Sequence, residues 1–236
     1  MKKVLLSAVA TVGLGVMAGA AQAAPVTIVF QNPGADTPVA GNFQSTGTCN
    51  GINVSGPDLC TVDNALGFDY AKGFANLNVT AIITTDNSFT ALLQDLAPTN
   101  SGLAALTVGE GSSDDQVQVS SKEALVFDFG TEVHVHRIDF NAGADRNCDN
   151  PGNEGPCGEF ELIVDGNTLG TMVAEDNKNF GTLMGQVFEI RATDPLDGGF
   201  TIGSITVSET PLPAGGVLLL SGLGGLGFAR RRKAQA

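Results

Sequence analysis

The feature that most constrains this chain is a succession of short apolar runs with a period of two, each closed by Gly, Asn or Asp. Val26-Thr27-Ile28-Val29-Phe30 is the first, and Leu77-Asn78-Val79-Thr80-Ala81-Ile82-Ile83 alternates before filling in with apolar residues. Leu125, Phe127 and Phe129 fall on one strand face, with Val126 and Asp128 on the other. Residues 133–140 follow Gly130-Thr131-Glu132 closely enough to predict a hairpin. Further runs occupy residues 160–164, 169–173, 187–192 and 200–207, and Asp165-Gly166-Asn167 between two of them is a tight-turn sequence. Helical spacing is weak and confined to residues 91–96. Many short strands joined by such turns predict an all-β chain, a β-sandwich of the jelly-roll kind. The thirteen Phe, with Val, Ile and Leu, are the expected filling between its sheets.

The two ends read differently from the middle. Met1-Lys2-Lys3 is a short basic start, residues 4–20 are apolar, and Ala21-Gln22-Ala23 offers signal peptidase its small-x-small site. Residues 1–23 are therefore read as a secretory signal peptide. At the other end Thr210-Pro211-Leu212-Pro213-Ala214 precedes a glycine-rich apolar stretch, which runs into Arg230-Arg231-Arg232-Lys233. That stretch is several residues short of the ~20 that a full membrane helix wants, and the basic cluster is expected to stay cytoplasmic. Residues 24–209 are left as one outward-facing domain, and 210–236 as a tail that meets the membrane.

Charge and cysteines agree with export. All 25 acidic residues but only six of the 12 basic ones fall in 24–209, a formal charge of −19. Such a surface repels nucleic acid and anionic lipid and attracts cations, so a nucleic-acid partner is excluded. The four cysteines, Cys49, Cys60, Cys148 and Cys157, are an even set in an exported chain, which predicts disulfides. Three pairings are open to sequence. The local one, Cys49 with Cys60 and Cys148 with Cys157, is simplest because each bond closes a short loop.

The tail's order of Pro motif, apolar segment and Arg cluster resembles the C-terminal sorting tails of the PEP-CTERM class, and within it the VPLPA-CTERM variant. Pro211, Leu212, Pro213 and Ala214 match the motif, Thr210 replaces its first Val, and Arg230, Arg231 and Arg232 supply the basic end. The resemblance implies a Gram-negative source and an exosortase-type processing peptidase. It further implies an inner-membrane intermediate whose tail is removed, before delivery to the cell surface or extracellular matrix. A glycan partner, exopolysaccharide, belongs to the same expectation. The middle looks like the ectodomains that precede such tails. Gly102-Leu103, Asp114-Asp115-Gln116-Val117, residues 123–129 and residues 160–166 carry that likeness, which implies a lectin-like or galactose-binding-like sandwich.

Chemistry is harder to place. The sequence has no Gly-x-Ser-x-Gly elbow, no phosphate-binding Gly-rich loop with Lys, and no His-Glu-x-x-His. His134 and His136 stand two apart on a predicted strand, a spacing that can chelate a transition metal with a third ligand. Asp145, Asn147 and Asp149 alternate as in the first half of an EF-hand loop. Asn150 then stands where Gly belongs and Pro156 where the bidentate Glu would be. They are retained as candidate Ca²⁺ ligands beside the alternative of a solvated loop closed by cysteines. A carboxylate pair of the glycosidase type is the remaining enzymatic option. Against it, the chain has no Trp and one Tyr for stacking sugars. The expectation is a non-catalytic surface or matrix protein, with a secreted carbohydrate-active hydrolase as the alternative.

Overall fold

The computed structural model describes residues 24–49, 51–54, 56–96, 102–107, 117, 122–142, 146–147, 157–193 and 199–210. Among them there is no helix, and the chain is all-β. Fifteen strands follow in order: β1 Val26–Val29, β2 Phe43–Gln44, β3 Gly47–Cys49, β4 Ile52–Val54, β5 Leu59–Thr61, β6 Phe68–Lys72, β7 Ala75–Ile83, β8 Ser88–Asp95, β9 Gly102–Leu106, β10 Glu123–Ala142, β11 Arg146–Asn147, β12 Cys157–Val164, β13 Asn167–Ala174, β14 Lys178–Ala192 and β15 Phe200–Glu209. All their pairings are antiparallel, as a sandwich-like arrangement built from hairpins requires.

Strands that change neighbours along their length organise this sheet. The first half of β10 lies against β7, with Asp128 opposite Asn78, and its second half lies against β15, with Val133 opposite Glu209. Its other edge is held by β14. From β7 the ladder continues through β8 and β9 to β15, and so returns to β10 as a closed ring. Closure leaves no ring strand at the margin of the sheet, and β12 and β13 extend it outward beyond β14.

The expected hairpin at Gly130-Thr131-Glu132 is corrected by this arrangement. The chain does not reverse there. It bends, with Gly130 at φ 67°, and the pairing with β14 slips between Asp128 and Val133. One strand of 20 residues thus serves two parts of the sheet. The turn at Asp165-Gly166 is as expected: both residues have positive φ, and Val164 faces Asn167.

The weak helical spacing at residues 91–96 is likewise strand. Ala91 and Leu93 belong to a small core with Cys49, Val54, Cys60, Ala104 and Leu106, whereas Leu92 belongs to the main core. A strand covered on both faces loses the alternation that identifies it.

The main core is aromatic. Phe68, Val79, Phe127, Phe188 and Val164 form one inward row across five strands, residue opposite residue. Among the described residues eight Phe are buried, and Phe140 stacks on Phe160 with ring centroids 4.6 Å apart. Among the described residues, buried side-chain polar atoms have partners except Thr193 Oγ1. The Tyr70 hydroxyl donates to Gln94 Oε1, and Gln94 Nε2 donates to the carbonyls of Phe30 and Asp36. Burial, and then the charge of Asp36, pushes the Tyr70 phenol well above its usual range. A disulfide joins Cys49 in β3 to Cys60 in β5, with Cα atoms 6.2 Å apart, which is the local pairing expected for these two.

Candidate ligand-binding cleft

The place where β10 leaves β7 is also where the surface opens. Pairing with β10 begins at Asn78, so Ala75, Asn76 and Leu77 have β6 on one edge and no described partner strand opposite. Two depressions of about 330 and 400 Å³ lie along this gap and meet at Asn76, Phe129 and Gly130. The cleft is thus a product of topology, because a strand that transfers from one neighbour to another must leave a wedge behind it.

Strand register decides which side chains face the wedge. Phe68, Val79 and Phe127 point inward, so the residues next to them point out, and Asp69, Asn78 and Asp128 form a row across β6, β7 and β10. Asn78 Nδ2 donates to Asp69 Oδ1 at 2.7 Å and to the carbonyl of Leu66 at 2.8 Å, which fixes the amide's orientation. Asp128 Oδ1 accepts from the backbone N–H of Gly130 at 2.7 Å and so holds the bend. Val39, 64% exposed, stands at one side of the cleft, whereas the side chains of Tyr70 and Leu77, which also border it, are buried in the core. Glu132 and Glu209 lie at the far end, beside Phe74. Among the described residues no Lys, Arg or His lines either depression. Chemically this is an open groove with an exposed apolar side chain, Val39, at its rim and a fixed line of hydrogen-bonding oxygens and one amide.

A second acidic arrangement sits elsewhere. Asp139 of β10 shares a hydrogen bond with Asp176 in the turn between β13 and β14, and its Oδ1 accepts from the Asn177 N–H at 3.0 Å. Burial first, and then the hydrogen bond and charge of Asp176, push the Asp139 carboxyl up to about 7. Glycosidase carboxylates stand roughly 5–9.5 Å apart with substrate or water between them. Two that bond each other and hold a turn do not have that geometry, so the pair acts as a latch on the β13–β14 turn.

The histidines lie together as their spacing implied, ring centroids 4.4 Å apart. His134 Nε2 donates to the Gly181 carbonyl at 2.8 Å, and His136 Nε2 meets Ser208 Oγ at 2.8 Å. They tie β10 to β14 on one side and β15 on the other. Burial, and then His134, lower the pKa of His136. No third side chain joins them: among the described residues no group of three His, Cys, Asp or Glu is placed to hold a metal.

Of the candidate Ca²⁺ ligands, the backbone of Asn147 in β11 pairs with Asn141, while Asp145 and Asp149 lie outside the described residues. So do Cys148, residues 1–23, which were expected to be a signal peptide, and Pro211 to Ala214 with Arg230, Arg231 and Arg232, which were expected to be a sorting tail. The cleft residues Asp69 and Asn78 drew no attention in sequence because they stand on different strands. Their only signal was the polar phase of two alternating runs.

No known family, curated protein or solved structure matches this chain. The reading of its function therefore rests on residues and geometry.

Proposed function

We propose that this is a non-catalytic exported surface or extracellular-matrix protein, whose β-sandwich, of the jelly-roll or galactose-binding-like kind, binds exopolysaccharide in the cleft between β7 and β10. Signal peptidase would release residues 1–23. The tail, with its Pro211–Ala214 motif and Arg cluster, would pass through the inner membrane to an exosortase-type peptidase before the domain reaches the surface. One observation carries the binding half of the proposal: the row of Asp69, Asn78 and Asp128 along the cleft, with the exposed Val39 beside it. Carboxylate and amide groups fixed by their own hydrogen bonds suit the paired hydroxyls of a sugar, and water-mediated contacts add to them in an open groove.

The test is a glycan array probed with the full chain, beside the same chain carrying Asn78→Ala. Retention of one or more glycans by the parent, weakened in the variant, supports the reading. No retained glycan, or equal retention by both, refutes it. Display is tested separately by intact mass of surface material, where the expected chain lacks Arg230 to Lys233. Full-length protein alone, in a host with the peptidase, refutes processing.

A second reading has a specific observation in its favour. The backbones of Asp69 and Asp128 are two strand spacings apart, roughly 9–10 Å, at the upper limit of the ~6.5–9.5 Å between an inverting glycosidase's carboxyl groups. Release of reducing ends from a retained glycan, abolished by Asp128→Asn, would decide for a secreted carbohydrate-active hydrolase. The proposal also keeps Ca²⁺ as a ligand of the loop carrying Asp145, Asn147 and Asp149.

A further inference from the structure

We infer that the cleft selects glycans bearing free amines, such as a partly deacetylated hexosamine polymer, over neutral chains and over uronates; this rests on the glycan reading above. The first argument is charge. Asp69 and Asp128 stand in one depression and Glu132 and Glu209 in the other, and no described cationic side chain lines either. The described salt bridges involve none of the lining residues. Lys72 is held by Asp36, Lys178 by Glu175, and Arg191 by Glu189 and Glu161. A uronate entering the groove meets like charge with no described counter-cation in its walls, whereas an ammonium gains a charge-assisted hydrogen bond at each carboxylate.

The second argument is direction. Asp69, Asn78 and Asp128 succeed one another across three strands at ~4.8 Å intervals, so a ligand touching all three runs across the strands. A peptide recognised by strand addition would run parallel to them, along an open edge. The interval is close to the length of one pyranose unit. The two carboxylates then meet sugars two units apart, with the Asn78 amide oxygen between them to accept from a hydroxyl or an acetamido N–H, since both of its Nδ2 hydrogens are used within the protein. Partial deacetylation supplies both kinds of group on one chain.

The third argument is preorganisation. Asn78 Nδ2 and the Gly130 N–H each use one lone pair of the flanking carboxylates and leave other acceptor positions for the ligand. The acceptors are therefore already aimed before binding, which reduces the ordering cost.

The experiment uses the purified full chain in mild detergent, with a chelator present to remove divalent bridging. Isothermal titration compares a partly deacetylated chito-oligomer, its fully acetylated counterpart, an oligouronate, and a lysine-rich peptide of equal positive charge. The expected order puts the amine-bearing oligomer first, with affinity that falls as salt rises. Asp69→Asn and Asp128→Asn should each weaken it roughly tenfold, the loss expected for one charge-assisted hydrogen bond. The amide keeps an acceptor for the internal bonds, and unchanged melting temperatures would show that the fold is retained. Glu159→Gln, an exposed carboxylate on β12 away from the cleft, should leave affinity unchanged.

Equal or tighter binding of the acetylated oligomer or the uronate overturns the amine selectivity while leaving a glycan site in place. Equal binding of the peptide, or an equal loss in Glu159→Gln, reduces the effect to the domain's overall negative charge and overturns the inference. Absence of binding by every glycan overturns the underlying glycan reading as well.

Discussion

Replacing Asp139 by Asn should stabilise the protein near pH 8 and do almost nothing near pH 4. In the folded state the Asp139 carboxyl titrates at about 7, against 3.8 ordinarily, because burial and the facing Asp176 disfavour its charge. Between those values the folded chain holds a proton that the unfolded chain has released. Stability therefore falls as pH rises through that window. The pair's contribution is complete below about pH 4 and is lost above about pH 7. At face value the displacement corresponds to about 4 kcal/mol. The turn is half-exposed, however, and solvent screening reduces this to about 1–2 kcal/mol. The amide introduced by Asp139→Asn would keep an oxygen for the Asn177 N–H and present an N–H to Asp176, so the latch survives without its charge. For a domain of this length the gain amounts to roughly 3–6 °C in Tm. The assay is thermal melting of both proteins at pH 4 and pH 8, monitored by circular dichroism. A lower Tm for the variant at pH 8, or a difference that is the same at both pH values, would refute the shared-proton argument.

Three further outcomes are expected. Cys49→Ser with Cys60→Ser should cost on the order of 2–3 kcal/mol, since the bond closes a loop with a sequence separation of 11; an unchanged denaturant midpoint would contradict this. Gly67→Ala should cost more than about 2 kcal/mol, because φ is +62° and a Cβ would stand 2.0 Å from the Val79 carbonyl oxygen, and urea unfolding measures it. Millimolar CaCl₂ should raise the melting temperature above NaCl of matched ionic strength. Asp145→Ala and Asp149→Ala should each abolish that rise, and equal melting in the two salts removes the Ca²⁺ ligand from the proposal.

Alternation in the sequence located most strands because most have one face in the core and one in solvent. It was clearest where Phe127 and Asp128 stand side by side, one inward and one in the cleft row. It failed at β8, where both faces are covered, and at Gly130, where a turn-like tripeptide marks a bend. Whether Gly-Thr-Glu reverses the chain depends on what waits beyond it, and here β15 offers residues 133–142 a partner about 70 residues further on. The cleft was illegible for the same reason. It belongs to no segment and exists only because β6, β7 and β10 come together in one register. The local disulfide was legible because short loops close easily.

The ring of strands has a kinetic side. β15 is the last described strand, yet it is the only described partner of β1 and of the second half of β10 on that edge. A chain emerging from its amino terminus holds Val26–Val29 unpaired until residue 204 is free to meet it. Until then its edge amides and the second half of β10 can template contacts with neighbouring chains. Such dependence on distant partners gives a high contact order and slow final closure. The domain can finish folding only when synthesis has nearly reached the tail, so any pause or truncation before Phe200 leaves two open strand edges on one molecule.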